Sequence, residues 1–319
     1  MSDKPRLLDR VREAIRVRHY SYRTEKQYVG WIQRYIRFHG LKHPESLGSH
    51  EIEAFLSHLA IRRQVTASTQ AQALAALLFL YKHVLKCDLP WLANVVRATR
   101  PKRLPVVLSR NEVRAVLDRL DGTYRLIASL MYGSGLRLME TLRLRIKDIN
   151  FERRCIVVRD GKGAKDRVTV LPESLLEALQ RQIAEAKDRH QRAVNARFGG
   201  VELPYALARK YPRAHLETAW QYVFPANRPS QDPLNGAWRR HHIHEESVQR
   251  RVKQALRDAR VEKPASCHTF RHCFATHMLD AGADIRTVQE LMGHASVKTT
   301  QIYTHVLNRG GIAARSPLD

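Results

Sequence analysis

A basic, proline-punctuated stretch, WLANVVRATRPKRLP (91–105), divides this chain into parts that cannot be one continuous helical body. Pro101 and Pro105 lack an amide hydrogen and clash with a preceding helical turn, so neither sits inside a helix. The stretch reads as a linker carrying Arg97, Arg100, Lys102 and Arg103. At roughly 150 residues per domain, a chain of 319 residues independently suggests two domains.

Upstream of the linker the apolar pattern is helical throughout. Ser21 is a helix cap before Tyr28, Trp31, Ile32, Tyr35 and Phe38, which recur at three- and four-residue steps. Ser49 opens a second helix through Ile52, Phe55, Leu56 and Leu59, with Glu51 and Glu53 in its first turn. A third runs from Thr66 to about Lys86. Residues 1–90 thus form a helical N-terminal domain.

Downstream the pattern is mixed. Ser109 caps a helix through Val113, Val116, Leu117 and Leu120, and Tyr124–Tyr132 reads as a buried helix. Arg154–Arg159 alternates around Ile156 and Val158, and Arg167–Leu171 around Val168 and Val170. With DGKGAKD between them, they make a β-hairpin tipped by Lys162 and Lys165. A helix follows over 173–192, then an irregular Gly-, Pro- and aromatic-rich segment over 199–236, then helices from Glu245. The expected fold is mostly α with a small β-hairpin or sheet. It is a two-domain clamp of a helical domain (1–90) and a mixed α/β domain (106–319).

Charge narrows the partner. The net formal charge is +24, and it is shared: residues 1–105 hold 19 basic and 8 acidic side chains, and the rest carry the remaining excess. Two basic bodies on a basic linker suit a polyanion gripped along the whole molecule, most simply nucleic acid. Arg10, Arg12, Arg16, Arg18, Arg23, Lys26, Arg34 and Arg37 in the first two helices suit a phosphate-tracking face as well as a solvated one. No apolar run of about 18 residues predicts a membrane span. The start, MSDKPRLLDR, lacks the apolar core of a secretion signal. Cys87, Cys155, Cys267 and Cys273 are too few for a disulfide framework, so a reducing cytoplasm is expected. Cys267, His268, His272 and Cys273 cluster, but adjacent Cys–His pairs do not match zinc-ligand spacing, and no metal site is expected.

Five short segments carry candidate chemistry. In Gly133-Ser134-Gly135-Leu136-Arg137-Leu138-Met139-Glu140, glycines allow a close turn that presents Arg137 at a helix start, with Glu140 one turn on. The hairpin tip offers Lys162. His268-Thr269-Phe270-Arg271-His272 places His268 and Arg271 on one helix face. Leu291-Met292-Gly293-His294 and Thr300-Gln301-Ile302-Tyr303-Thr304-His305 complete the series.

In this order the segments resemble the tyrosine recombinases, the phage and bacterial site-specific integrases. Their pattern of Arg, Lys, His-x-x-Arg, His or Trp, then Tyr is filled here at Arg137, Lys162, His268, Arg271, His294 and Tyr303. The catalytic resemblance spans 106–306, and a looser helical one to the family's core-binding domain covers 10–90. It implies DNA cleavage and rejoining through a 3′-phosphotyrosyl intermediate, without metal, ATP or other cofactor.

The chemistry accounts for the set. A phenol of pKa about 10 is barely ionised at neutral pH, so Tyr303 needs a base or a strongly cationic pocket. Arg137 and Arg271 offer planar forks for the nonbridging phosphate oxygens. Lys162, favoured over Lys165 by comparison with the family, is the expected acid for the leaving 5′-oxygen. His268 can shuttle the Tyr303 proton, and His294 can hydrogen-bond the phosphate. Glu140 is expected to orient a pocket arginine. Cys267, His272, Cys273, His277 and His305 are expected to pack or to face solvent.

The segment at about 192–222 resembles the insertion of integron integrases, above all Ala206-Leu207-Ala208-Arg209-Lys210-Tyr211-Pro212. That resemblance implies insertion and excision of gene cassettes at a folded single-stranded hairpin whose extrahelical bases are read, with recombination also at a double-stranded site. Lys210, Trp220, His241 and His242 are the candidate base contacts, through stacking and edge hydrogen bonds. The family resemblance implies a homotetramer on DNA, in a bacterial cytoplasm beside the nucleoid, and the few apolar residues of the tail, Val306, Leu307 and Ile312, predict a monomer in dilute solution. Two other readings are a recombinase of double-stranded sites, of chromosome-dimer or transposon type, and a catalytically silent DNA-binding relative.

Overall fold

The computed structural model describes residues 6–89, 95, 96, 98, 105–159, 166–196, 200–204, 207–232 and 236–307, in two compact units, Met1–Arg103 and Leu104–Asp319. The fold is mostly helical, with one three-stranded sheet and one two-stranded ribbon among the described residues. None of the described helices is long and apolar enough to cross a membrane.

The first unit packs α1 (Leu7–Val17), α2 (Tyr22–Phe38), α3 (Ser49–Ile61) and α4 (Ala67–Phe79) around Ile15, Ile32, Tyr35, Leu56 and Leu77. Ser21 caps α2, its hydroxyl accepting from the Thr24 amide at 3.1 Å. The cap of α3 lies one residue earlier than expected. Gly48 is the cap and Ser49 is already helical, because the Glu51 carboxylate reaches back to the Gly48 amide at 2.7 Å. That hydrogen bond lowers the Glu51 pKa. Helix α4 widens into a π-helical stretch, Leu80–Leu85, ending at Lys86 with φ 58°. The Tyr81 hydroxyl there lies 3.0 Å from the Tyr35 hydroxyl and from the carbonyls of Pro44 and Leu47.

Much of the basic run in this unit is engaged internally. Arg10 donates to the Val84 carbonyl at 2.8 Å, Arg12 to Asp9 at 2.6 Å, and Arg16 to Glu25 at 2.8 and 2.9 Å. Of the expected linker, the described residues 95, 96 and 98 dock on this unit. The Gln70 side-chain amide donates to the Val96 carbonyl at 2.7 Å and accepts from the Ala98 amide at 3.0 Å. The four basic linker residues lie outside the described residues.

The second unit is built on α6 (Gly122–Gly133), which buries Leu126, Ile127, Leu130 and Met131 against α5 (Arg110–Leu117), α10 (Glu245–Asp258) and α11 (Cys267–Asp280). Ser109 and Glu112 cap α5 reciprocally, at 3.2 and 2.6 Å. After the short α7 (Leu138–Leu142), strands β1 (Ile149–Asn150), β2 (Cys155–Val158) and β3 (Arg167–Val170) form an antiparallel sheet in that order. The register pairs Ile156 with Thr169 and Val158 with Arg167.

The inward face of β3 differs from the apolar alternation. Val168 and Val170 are exposed and Thr169 is buried, because its hydroxyl donates to the Ser134 carbonyl at 2.8 Å. Helix α8 (Leu176–Asn195) leads into the irregular region, which holds α9 (Leu207–Lys210), turns around Ala214–Trp220, and the ribbon β4 (Ser230–Gln231)–β5 (Trp238–Arg239). Helices α12 (Ile285–Met292) and α13 (Val297–Leu307) pack on α11 and close the unit.

Candidate active site

Five of the six expected catalytic residues lie on α11 and α13, at the start of α7, or in the turn between α12 and α13. Arg137 is the cap residue of α7 and Glu140 stands one turn on. The Glu140 carboxylate accepts from the Arg137 amide at 2.9 Å and from its guanidinium at 2.6 Å. It also holds Arg167, at the start of β3, through two bonds of 3.0 and 2.6 Å. Burial alone would raise the Glu140 pKa, but the bonds and charges of Arg167 and Arg137 outweigh it and hold the carboxyl at about 2.

Arg271 sits at the centre of the group on α11, and only 1% of it is exposed. Its two terminal nitrogens donate to the Gly135 and Met292 carbonyls, each at 2.5 Å, and one lies 3.7 Å from Glu140. Burial, then repulsion from Arg137, draws its pKa down to about 9, so it remains a cation at neutral pH.

Two glycines make these carbonyls available. Gly135 has φ 64°, and a Cβ there would lie 2.4 Å from the Phe274 ring. Gly293 ends α12 with φ 62°, and a Cβ there would lie 2.7 Å from the Arg167 side chain. Only glycine meets both demands, positive φ and a neighbour at that range.

Tyr303, on α13, is buried among Phe274, Val288 and Met292. Burial raises its pKa, while the charges of Arg271 and then Arg137 oppose the rise, so both arginines act on the phenol. The group bonded to its hydroxyl is His272, whose Nδ1 lies 2.9 Å away. His272 was expected to pack or to face solvent. Adjacency to Arg271 in the sequence did not separate it from an ordinary helix-surface residue.

His268 is exposed, and its ring meets that of His272 edge-on at a centroid distance of 4.6 Å. His294 stacks beside the Tyr303 ring at 6.1 Å, and its Nδ1 is 2.9 Å from the buried Thr300 hydroxyl. Burial first and nearby cations second pull His294 to about 4. His272 is likewise drawn to about 4, by burial and then by His268 and Arg271, so both rings are neutral at pH 7. Lys162 and Lys165 lie outside the described residues.

Cys267 and Cys273 are buried, and burial pushes their thiols up to about 12 and about 11. Among the described residues no group of three His, Cys, Asp or Glu side chains is placed to hold a metal ion.

A second cluster gathers three of the four expected base contacts. Trp220 packs beside Tyr222, and the Lys147 ammonium lies 2.9 Å from its ring centroid. The Arg145 guanidinium lies 5.5 Å from the Trp220 ring and 4.8 Å from the Tyr222 ring, and it donates to the Trp220 carbonyl at 2.7 Å. The His241 and His242 rings are 4.0 Å apart, and each lies about as far from Tyr222, 5.5 and 5.4 Å. His241 is exposed; His242 is buried, and its Nε2 has no hydrogen-bond partner. Burial and then the neighbouring His241 lower the His242 pKa to about 4. Lys210 is exposed at the end of α9, its ammonium 5.3 Å from the Tyr211 ring. Arg145, Lys147 and Tyr222 were missed, since nothing in the local sequence ties the turn at 145–147 to the insertion.

Comparison with known proteins decides the lineage. The signature of the phage integrase family matches residues 107–309, and that of the phage integrase N-terminal SAM-like domain matches residues 7–91. The chain belongs to the phage integrase family. An Escherichia coli protein named Integrase/recombinase is 52% identical over 314 residues, which cover 98% of this chain and 93% of that protein. Tyrosine recombinase XerC 2 of Ralstonia nicotianae is 32% identical over 320 residues, covering 92% of this chain and 80% of its own. This integrase is therefore a tyrosine-type site-specific DNA recombinase.

Among solved structures, the XerH recombinase bound to palindromic difH substrate after cleavage aligns with TM-score 0.63. The identity is 19%, over 96% of this chain and 82% of that one. The Tn1549 transposon integrase (aa 82–397) in complex with circular intermediate DNA aligns with TM-score 0.58. There the identity is 18%, over 93% and 94% of the two chains. At these identities the likeness is one of fold.

Proposed function

We propose that Tyr303 attacks the scissile phosphate while Arg137 and Arg271 hold its nonbridging oxygens, giving a 3′-phosphotyrosyl intermediate. The observation that carries this reading is the gathering of Arg137 and Arg271 around one carboxylate, Glu140, at 2.6 and 3.7 Å, with α13, which carries Tyr303, packed on the helix of Arg271. Lys162 supplies the proton for the leaving 5′-oxygen, His294 hydrogen-bonds the phosphate, and His268 carries the Tyr303 proton outward. Arg271 and Tyr303 are 1% and 4% exposed, so DNA entry must open a path to them. The phosphotyrosyl bond retains the energy of the phosphodiester, so a second strand's 5′-hydroxyl reverses the step. The test is Tyr303→Phe. It abolishes covalent protein–DNA adducts with DNA affinity nearly unchanged, and adducts that persist refute the nucleophile.

The substrate in this reading is a gene-cassette site folded as a single-stranded hairpin, recombined with a double-stranded site by a homotetramer that assembles on the DNA. It acts in a bacterial cytoplasm, at the nucleoid. Trp220 and His241, the accessible rings of the cluster, support it, since aromatic and imidazole faces beside Arg145 and Lys147 suit a splayed base and its flanking phosphate, while Tyr222 and His242 are buried behind them. Lys210 adds a cation at the rim. Recombination of the bottom strand, the top strand and the duplex of one cassette site tests the proposal, and equal use of all three excludes it. The 32% identity to a protein named tyrosine recombinase XerC 2 favours a second reading, recombination at double-stranded sites. That reading predicts efficient use of the duplex alone.

A further inference from the structure

We propose that His272 is the group that takes the phenolic proton of Tyr303 as the hydroxyl attacks phosphorus, and that His268 is the outlet of this relay. The proposal rests on Tyr303 being the nucleophile.

Three observations carry it. First, His272 Nδ1 is 2.9 Å from the Tyr303 hydroxyl, within the range a general base needs. The other two histidines are placed for different contacts: His294 bonds Thr300 with its Nδ1, and His268 meets the edge of the His272 ring. Second, the Arg271 charge acts on both His272 and the Tyr303 phenol, so the cation that would hold a phosphate stands near the bonded pair. Third, the surroundings keep His272 an acceptor. The charged and titratable groups facing it are Arg271 and His268 on its own helix, His294 before α13 and Tyr303 on α13. None of them is an acid that would hold a proton on the ring. His272 is therefore neutral before attack and becomes cationic only as the proton arrives.

The step balances. The Tyr303 oxygen forms a bond to phosphorus and its proton moves to His272 Nδ1. The phosphorus–5′-oxygen bond breaks and that oxygen takes one proton from the leaving-group acid. His272 then releases its proton past the exposed His268. On religation the same path runs backward.

Sulfur at the scissile 5′ position separates the base from the acid. A thiolate leaves without protonation because its pKa is about 8.5. The assay measures the rate of adduct formation by the full-length protein on nicked suicide substrates with 5′-oxygen or 5′-sulfur at the scissile bond. His272→Asn keeps an acceptor of similar reach but no basicity. It is expected to be slower by about 100-fold or more on both substrates, with DNA affinity and Tm unchanged. Lys162→Ala is expected to be slow on oxygen and restored on sulfur. Wild-type rate is expected to be flat above about pH 6, whereas the His272→Asn rate keeps rising with pH as hydroxide replaces the imidazole.

A His272→Asn rate within about threefold of wild type on the sulfur substrate overturns the proposal, as does rescue of this variant by sulfur. Should His272→Asn lower Tm, His272→Ala with imidazole added to the buffer gives the second measurement. A rate that climbs with imidazole supports the relay, and no response from folded protein overturns it. Tyr303→Phe separates the two assignments. Adducts from that variant sink the nucleophile itself, whereas a silent Tyr303→Phe beside a fast His272→Asn sinks only the relay.

Discussion

Replacing Glu140 by Gln removes one negative charge from the middle of three guanidinium groups. The carboxylate accepts from Arg167 at 2.6 and 3.0 Å and from Arg137 at 2.6 Å, with Arg271 at 3.7 Å. Its side chain is only 9% exposed, so solvent screens these contacts little. The carboxyl is held at about 2, well below the ordinary carboxylate value, which corresponds to about 3 kcal/mol of folding free energy at neutral pH.

The sign follows from the direction of the shift. A carboxyl with a depressed folded pKa contributes fully above its unfolded pKa and loses that contribution as pH falls toward the folded one. Between pH 7 and pH 3.5 about 1 kcal/mol should disappear from wild type and not from Glu140→Gln. Urea unfolding of both full-length proteins at the two pH values measures this. The expected result is a stability gap of about 3 kcal/mol at pH 7 that narrows in acid. A gap independent of pH, or one below about 1 kcal/mol at pH 7, refutes the claim that this carboxylate balances the arginines. Adduct formation by Glu140→Gln should also slow, because Arg137 loses the charged partner that fixes its fork.

Two other substitutions test separate parts of the structure. Gly135→Ala puts a methyl group 2.4 Å from the Phe274 ring on backbone with φ 64° and should cost about 2–4 kcal/mol in urea unfolding; wild-type stability would show that this turn is not constrained as described. Trp220→Ala should weaken binding of a cassette hairpin about tenfold or more and leave duplex affinity unchanged, as gel-shift titration reads; equal loss on both substrates would assign Trp220 to packing.

Local features were legible in the sequence where the physics is local. Ser21, Thr66 and Ser109 cap their helices because a short hydroxyl side chain reaches the amide three residues on, whatever the tertiary context. Gly48 was missed because there the long Glu51 side chain does the capping, and Ser49 sits beside it as a misleading alternative. The face of β3 was misread for a different reason. Val168 and Val170 have the strand-forming character of core residues, but Thr169 is drawn inward by the carbonyl of Ser134, a partner 35 positions away. The π-helical end of α4 leaves no trace in apolar spacing, since its buried residues, Leu80, Tyr81 and Val84, keep three- and four-residue steps. At the site, the order of Arg, His, Arg, His and Tyr could be read as a pattern. The roles of Arg167 and His272 could not, because each depends on a contact between segments more than 25 residues apart.

Arg271 shows why short motifs that look unrelated in the sequence belong together. The Gly-Ser-Gly turn before Arg137 and the Met-Gly-His turn before α13 each contain a glycine with positive φ. Each turn also yields one carbonyl, Gly135 or Met292, to opposite ends of the same guanidinium. A lysine in place of Arg271 could satisfy one such acceptor as a point donor but could not span both in a fixed plane. The arginine thus ties the segment carrying Arg137 to the segment leading into Tyr303, and its charge sets the field in which that phenol sits. Glycine is required twice because each turn has positive φ and a Cβ would meet the Phe274 ring at position 135 or the Arg167 side chain at position 293. Changing either glycine therefore acts on Arg271 through the carbonyl that holds it.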